Sequence, residues 1–228
     1  MGFVGFAQWR RPTRAAWTQI APGVELRKLR LSTPGGASQI VAIRTLPRHV
    51  HVATGARLDA TAWRQREAAV MAVNGGFFDE NGKSLGLRVS GGERVSPVRG
   101  TRWGIFYVRG HLAHIVAPAA FKPRPDIHEA VQCGPRLVVQ GQIMQLKPQW
   151  ARRTGIGIQH DGHVIVAVAD GETSFQDWAA LWSSPTGLNC PNALNLDGGS
   201  STQMALKTRA VSLEISGGRT VPDAVIIR

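Results

Sequence analysis

Cysteine is almost missing from this chain. Cys133 and Cys190 stand far apart without a CxxC spacing, which excludes a thiolate zinc site and leaves the two either paired or simply buried. Apolar runs of about eighteen residues are lacking, so no membrane-spanning helix is expected. Repeats, low-complexity tracts and Ser/Pro linkers are lacking too, and one domain is the default. Acidic residues are scarce, 15 Asp+Glu against 27 Lys+Arg, for a net charge of +12. Five of the cations are lysines (Lys28, Lys83, Lys122, Lys147, Lys207), so arginine carries the excess. Such a balance attracts phosphates, anionic glycans or nucleic acid, and the guanidinium fork suits phosphate. The tryptophans, including Trp9 and Trp17 near Arg10, Arg11 and Arg14, can stack bases, but no RRM or OB signature accompanies them, and nucleic acid is not the expected partner.

What is present is a foldable composition: 43% hydrophobic and 18% charged residues exclude disorder. The N-terminal MGFVGFAQWRR is apolar for too few residues to be a signal-peptide core, so the chain is expected either in the cytoplasm or beginning after a removed leader. Gly 26 and Pro 13, spread throughout, suggest many short strands joined by turns. Strands are expected at Leu26–Leu31, Gln39–Arg44, Val50–Ala53, Ala69–Val73, Trp103–Val108, Leu112–Ala117 and Arg136–Gln140. A hairpin over Ile156–Ala169 centres on Asp161-Gly162, a pair suited to a type I′ turn. Helices are expected over Asp59–Ala69 and Thr173–Trp182, the second with a Ser174/Asp177 capping box and an apolar stripe of Phe175, Trp178, Ala179 and Trp182. Strands outnumbering helices, without βαβ alternation, predict an α+β fold with mixed sheet over residues 23–228, after an extension over 1–22.

Three segments carry chemistry. VMAVNGGFF places Asn74 at a strand end before Gly75-Gly76, where the backbone is free to take φ > 0 and approach a ligand; a plain Asn-Gly turn is the competing explanation. ALNLDGGSSTQM repeats that pattern with Asp197, Gly198, Gly199, Ser200 and Ser201, whose amides can form an anion nest, especially if a helix starts at Thr202. ARRTGIG sets Arg152 and Arg153 at the mouth of the hairpin that ends in Asp170, and Arg153 is the better phosphate ligand. Two carboxylates from strand ends, Asp197 and Asp170, with an arginine between them are the minimum equipment for cleaving a bond to an anomeric carbon. GxSxG and GxxxxGK[ST] are absent, disfavouring a lipase-like serine or a nucleotide site. His49, His51 and the other histidines complete no HExxH or facial triad, and neither a metal nor another cofactor is expected.

At these residues the chain resembles the phosphodiester glycosidases. The resemblance rests on Asn74-Gly75-Gly76-Phe77-Phe78, Gln132-Cys133-Gly134-Pro135-Arg136-Leu137-Val138 followed by Gly141, Arg153-Thr154-Gly155-Ile156-Gly157 and Leu196-Asp197-Gly198-Gly199-Ser200-Ser201. Gly155, Ser200 and Cys133 are small departures from the family pattern. The resemblance implies an α+β catalytic domain that removes a sugar from a sugar-1-phosphate diester, with bacterial relatives tied to envelope or exopolysaccharide glycans. It brings Thr154 and Gln132 into the substrate-binding set, beside Arg153, Gly75, Gly76 and the Gly198–Ser201 amides. Asp197 or Asp170 would act at the anomeric carbon while Asn74 orients a sugar hydroxyl or the phosphate. The competing class is a non-catalytic module that grips phosphorylated glycans.

Overall fold

The computed structural model describes residues 16–33 and 36–228. Its architecture is organised by one apolar strand. In Val164–Ser174, Val164, Val166 and Val168 face one core, while Ile165, Ala167 and Ala169 face a second, as the two-residue period of a strand requires. Neither face of its 164–169 stretch meets water, and the strand is paired at both edges, so it lies inside the sheet. That sheet has eight strands in the order Thr18–Ala21, Val24–Thr33, Gly36–Thr45, Val164–Ser174, Trp150–Ile158, Asn192–Asn195, Arg136–Val139 and Gln142–Ile143.

Two five-stranded sheets complete the framework: Glu93–Ser96, Arg88–Ser90, Ile127–Cys133, Gly104–Arg109, Leu112–Val116, and Ser212–Ile215, Met204–Lys207, Met71–Asn74, Ala224–Ile227, Val50–Ala53. The main core lies among all three sheets, with Val41, Ile43 and Ile156 from the first, Phe106 and Val131 from the second, and Met71, Val73 and Val225 from the third. The opposite face of the large sheet is covered by the helix Phe175–Ser183 through Trp178 and Trp182. Gly155 and Gly157 leave bare backbone for this helix, since a Cβ would stand 2.8 and 2.6 Å from the Trp182 ring. The outer face of the third sheet, Ala72, Ala224 and Ile226, packs on Trp63 of the helix Ala60–Arg66.

The α+β expectation holds in a strand-dominated form. The sheets are antiparallel at every described strand pair rather than mixed, both where a short turn joins neighbours and where the partners lie far apart in the chain. The 159–163 turn is also not type I′. Of Asp161-Gly162 only the glycine is left-handed (φ 85), and Gly162 N–H donates to Gln159 O at 3.0 Å, the geometry of a type I turn closed by a glycine bulge. Cys133 and Cys190 are both free and buried, and burial pushes the Cys133 thiol up to about 12. Of the extension expected over 1–22, residues 1–15, including Trp9 and the arginine cluster, lie outside the described residues, and Thr18–Ala21 is an edge strand. No described helix is long and apolar enough to cross a membrane.

Half of the expected capping box forms: Ser174 Oγ accepts from Asp177 N–H at 3.0 Å, while Asp177 Oδ2 accepts from the Ser174 hydroxyl at 2.6 Å in place of the Ser174 backbone N–H. Ser174→Ala should cost about 1 kcal/mol, read as a fall in Tm of about 2–4 °C in thermal unfolding.

Candidate active site

The Asn74, Arg153-Thr154 and Asp197 segments, distant in sequence, converge where the third sheet meets the large one. Asn74 is fully buried at the end of Met71–Asn74. Its Oδ1 accepts from Thr154 Oγ1 at 2.7 Å and from Gln203 N–H at 3.2 Å, and its Nδ2 donates to Asp197 O at 2.7 Å. Gly75 O accepts from Asp197 N–H at 3.0 Å, and Thr154 O from Leu196 N–H at 2.9 Å. Asn74 and Thr154 therefore act by fixing the backbone that carries Asp197.

Asp197 lines a cleft of about 220 Å³ together with Phe77, Arg153, Phe175, Asn195 and the Gly198-Gly199 backbone. Burial pushes its carboxyl above the usual range. The Ser201 hydroxyl and the Gly198 N–H, 2.9 Å from Oδ1, oppose that rise; Asp223 adds to it and Arg219 counters it. The nest expected to hold an anion thus receives Asp197 itself. Its remaining donors are the Gly199 and Ser200 N–H groups, which meet no acceptor among the described residues, and Ser200 is exposed at the rim. The backbone here is a short 3-10 turn, Gly199–Ser201, in place of the helix considered at Thr202, because Met204 already enters a strand.

Arg153 faces Asp197's cleft from the neighbouring strand and is 2% exposed. Its Nε donates to Thr173 O at 3.0 Å, an Nη donates to Gln149 O, and the guanidinium lies 3.6 Å from the Phe175 ring centroid. Among the described residues no carboxylate pairs with it, and burial lowers it to about 10. A buried cation fixed by two carbonyls and facing a cleft is suited to an incoming anion. Asp170 does not line this cleft: it is exposed and pairs with Arg152 at 2.6 Å. His49 and His51 go elsewhere, to Arg228 O and Glu129.

Gly75 and Gly76 keep ordinary negative φ, contrary to the expectation of positive φ, and the groups they approach belong to the protein. A Cβ would stand 1.9 Å from Asp223 Oδ1 at Gly75 and 2.3 Å from an Arg88 Nη at Gly76. Gly75 N–H donates to Asp223 O, and Gly76 N–H to Asp223 Oδ1 at 2.8 Å. Asp223 and Arg88, 2.9 Å apart with wholly buried side chains, thereby lock the loop that supports Asp197. Gln132 is also buried, its Oε1 accepting from Leu87 and Arg99 N–H and its Nε2 donating to Arg99 O at 2.6 Å.

The sequence reading missed three residues. Arg88 and Asp223 leave no local signature, being a lone arginine in a strand and a lone aspartate before one. Asn195 does leave a signal, since it stands two positions before Asp197 and shares its face. Asn195 Nδ2 donates to Gly134 O and Leu196 O, which fixes the amide, while its buried Oδ1 has no partner.

The family model described as phosphodiester glycosidase matches residues 67–228. The uncharacterised protein YigE of Escherichia coli (strain K12) is 34% identical over 141 residues, covering 56% of this chain and 55% of that protein, so the chain spans about half the length of this curated relative. In fold, the chain is similar to the catalytic domain of zebrafish N-acetylglucosamine-1-phosphodiester α-N-acetylglucosaminidase, solved auto-inhibited by its pro-peptide. The TM-score is 0.75 at 17% identity, over 95% of this chain and 87% of that one. A hypothetical protein from Synechocystis matches with a TM-score of 0.69 at 16% identity, over 95% and 64%.

Proposed function

Since the chain belongs to the phosphodiester glycosidase family, we propose that it hydrolyses the sugar–phosphate bond of a sugar-1-phosphate diester, on an envelope or exopolysaccharide-type glycan. The observation that carries this reading is Arg153 and Asp197 lining one cleft, the arginine without a carboxylate partner and the carboxyl with its pKa raised. The zebrafish neighbour, named for a sugar-1-phosphodiester, supports the substrate class.

In this reading Arg153 and the Gly199 and Ser200 amides hold the phosphate, and Asn195 Oδ1 accepts a sugar hydroxyl. Asp197 takes a proton from water as the water oxygen bonds to C1. The C1–O bond to phosphate breaks, and its electron pair leaves on the phosphate oxygen. That leaving group is already an anionic monoester, so it needs charge stabilisation more than a general acid. This accounts for a cleft with one carboxylate where sugar-alcohol glycosidases use two. The raised pKa moves Asp197 towards neutrality, where a general base works best.

The test is steady-state hydrolysis of a panel of sugar-1-phosphate diesters. Arg153→Ala should lower kcat/KM by about a hundredfold or more, as loss of a charge-assisted contact to the leaving phosphate predicts. Asp170→Asn should stay within about threefold of the unaltered protein, since this carboxylate lies outside the cleft. Diesters that bind in an Arg153-dependent way without turnover would make the protein a phosphoglycan-binding module instead.

A further inference from the structure

A second cleft, of about 400 Å³, has no lining residue in common with the Asp197 cleft and is not used by the reaction. Its polar lining is Thr54, Arg57, Asn81, Lys83, Ser84 and Ser96, and among the described residues no acidic side chain contributes to it. Arg57 and Lys83 form no ion pair among the described residues. On the adjoining turn, Asp79 Oδ1 accepts from the Lys83 N–H at 2.9 Å.

The two clefts are linked through consecutive residues. Phe77 lines the Asp197 cleft, and Phe78, next in the chain, carries the guanidinium of Arg57 over its ring at 5.7 Å and that of Arg219 at 5.2 Å. Two guanidiniums drawn to one ring repel each other unless an anion lies near them. Arg219 also counters the rise of the Asp197 carboxyl, so one arginine on the Phe78 ring stands within electrostatic reach of the first cleft while the other, Arg57, lines the second. Ser84 lines the larger cleft, and its hydroxyl donates to Asp223 Oδ2 at 2.8 Å.

We propose that this second cleft is an anion subsite that takes the next phosphate of a repeating glycosyl-phosphate chain, with Arg57 and Lys83 as its ligands. The proposal rests on the reading of the preceding subsection and deepens it: the preferred substrate is polyanionic, with one phosphate at Arg153 and another at Arg57 and Lys83. Arginine grips a phosphate with two parallel N–H donors, and lysine adds a point charge.

The experiment compares two synthetic substrates, a glycosyl phosphodiester with a single phosphate and one with a second phosphate on the next unit. They are hydrolysed by the unaltered protein, Arg57→Ala and Lys83→Ala, each checked for an unchanged thermal melt. The expected result is a KM about tenfold lower for the two-phosphate substrate, a preference that both variants lose while their kcat and KM on the one-phosphate substrate stay the same. Equal KM values in the unaltered protein, or variants that weaken both substrates alike, would overturn the subsite. If neither substrate is hydrolysed, the glycosidase reading fails, and calorimetric titration with tripolyphosphate judges the subsite by itself. A Kd about tenfold weaker in Arg57→Ala supports it, and an unchanged Kd or no binding overturns it.

Discussion

Asp197→Asn should lower kcat by about a thousandfold or more and, at the same time, make the protein more stable. The first effect follows because an amide cannot take the proton from water, and among the described residues no other carboxylate lines the cleft. The second follows from burial, which holds the Asp197 pKa above its unfolded value. The native state therefore binds this proton more tightly than the unfolded chain does. At pH values below the unfolded pKa both states are protonated and there is no penalty. As pH rises from the unfolded value through the folded one, the charged form must be buried, and stability is lost. Asparagine removes that cost while its oxygen still accepts from Gly198. Thermal unfolding at neutral pH should show a higher Tm, and the gain should vanish near pH 3. An unchanged Tm at both pH values would mean that the carboxylate bears no desolvation cost.

Asp223→Ala should produce the largest loss of stability, about 3–5 kcal/mol and a Tm lower by about 6–20 °C. It leaves Arg88 as an unpaired charge with no exposed surface and strands the Gly76 N–H and the Ser84 hydroxyl. Removing both charges, Arg88→Met with Asp223→Leu, should cost less than the single change, because no buried ion is then left alone. Denaturant melts of the set check this. A double variant worse than Asp223→Ala would show that Arg88 stabilises chiefly through its bonds to Leu87, Gln132 and Phe77 carbonyls.

These two residues also show where the sequence becomes hard to read. Local periodicity and turn chemistry sufficed for the Val50–Ala53 strand and for the capped helix Phe175–Ser183, each being decided by neighbours a few residues apart. Asp197 was legible for the same reason, as a carboxylate at the end of an apolar strand before two glycines. The Asn74-Gly75-Gly76 glycines were legible as special but for another cause: what forbids a side chain there is Asp223 and Arg88, brought in from far along the chain. Asp170 and Asp197 look alike in sequence, both lying after apolar strands. Their difference is made by Arg152, which holds Asp170 at the surface, and by Asn74, which holds the Asp197 backbone from another sheet.

The central claim is that the bond broken joins the anomeric carbon to the phosphate oxygen, and hydrolysis in ¹⁸O-labelled water reads this directly. With Asp197 activating water at C1, the label should appear in the released sugar and be absent from the phosphate monoester. Label in the phosphate would mean cleavage between phosphorus and oxygen, and would contradict the account.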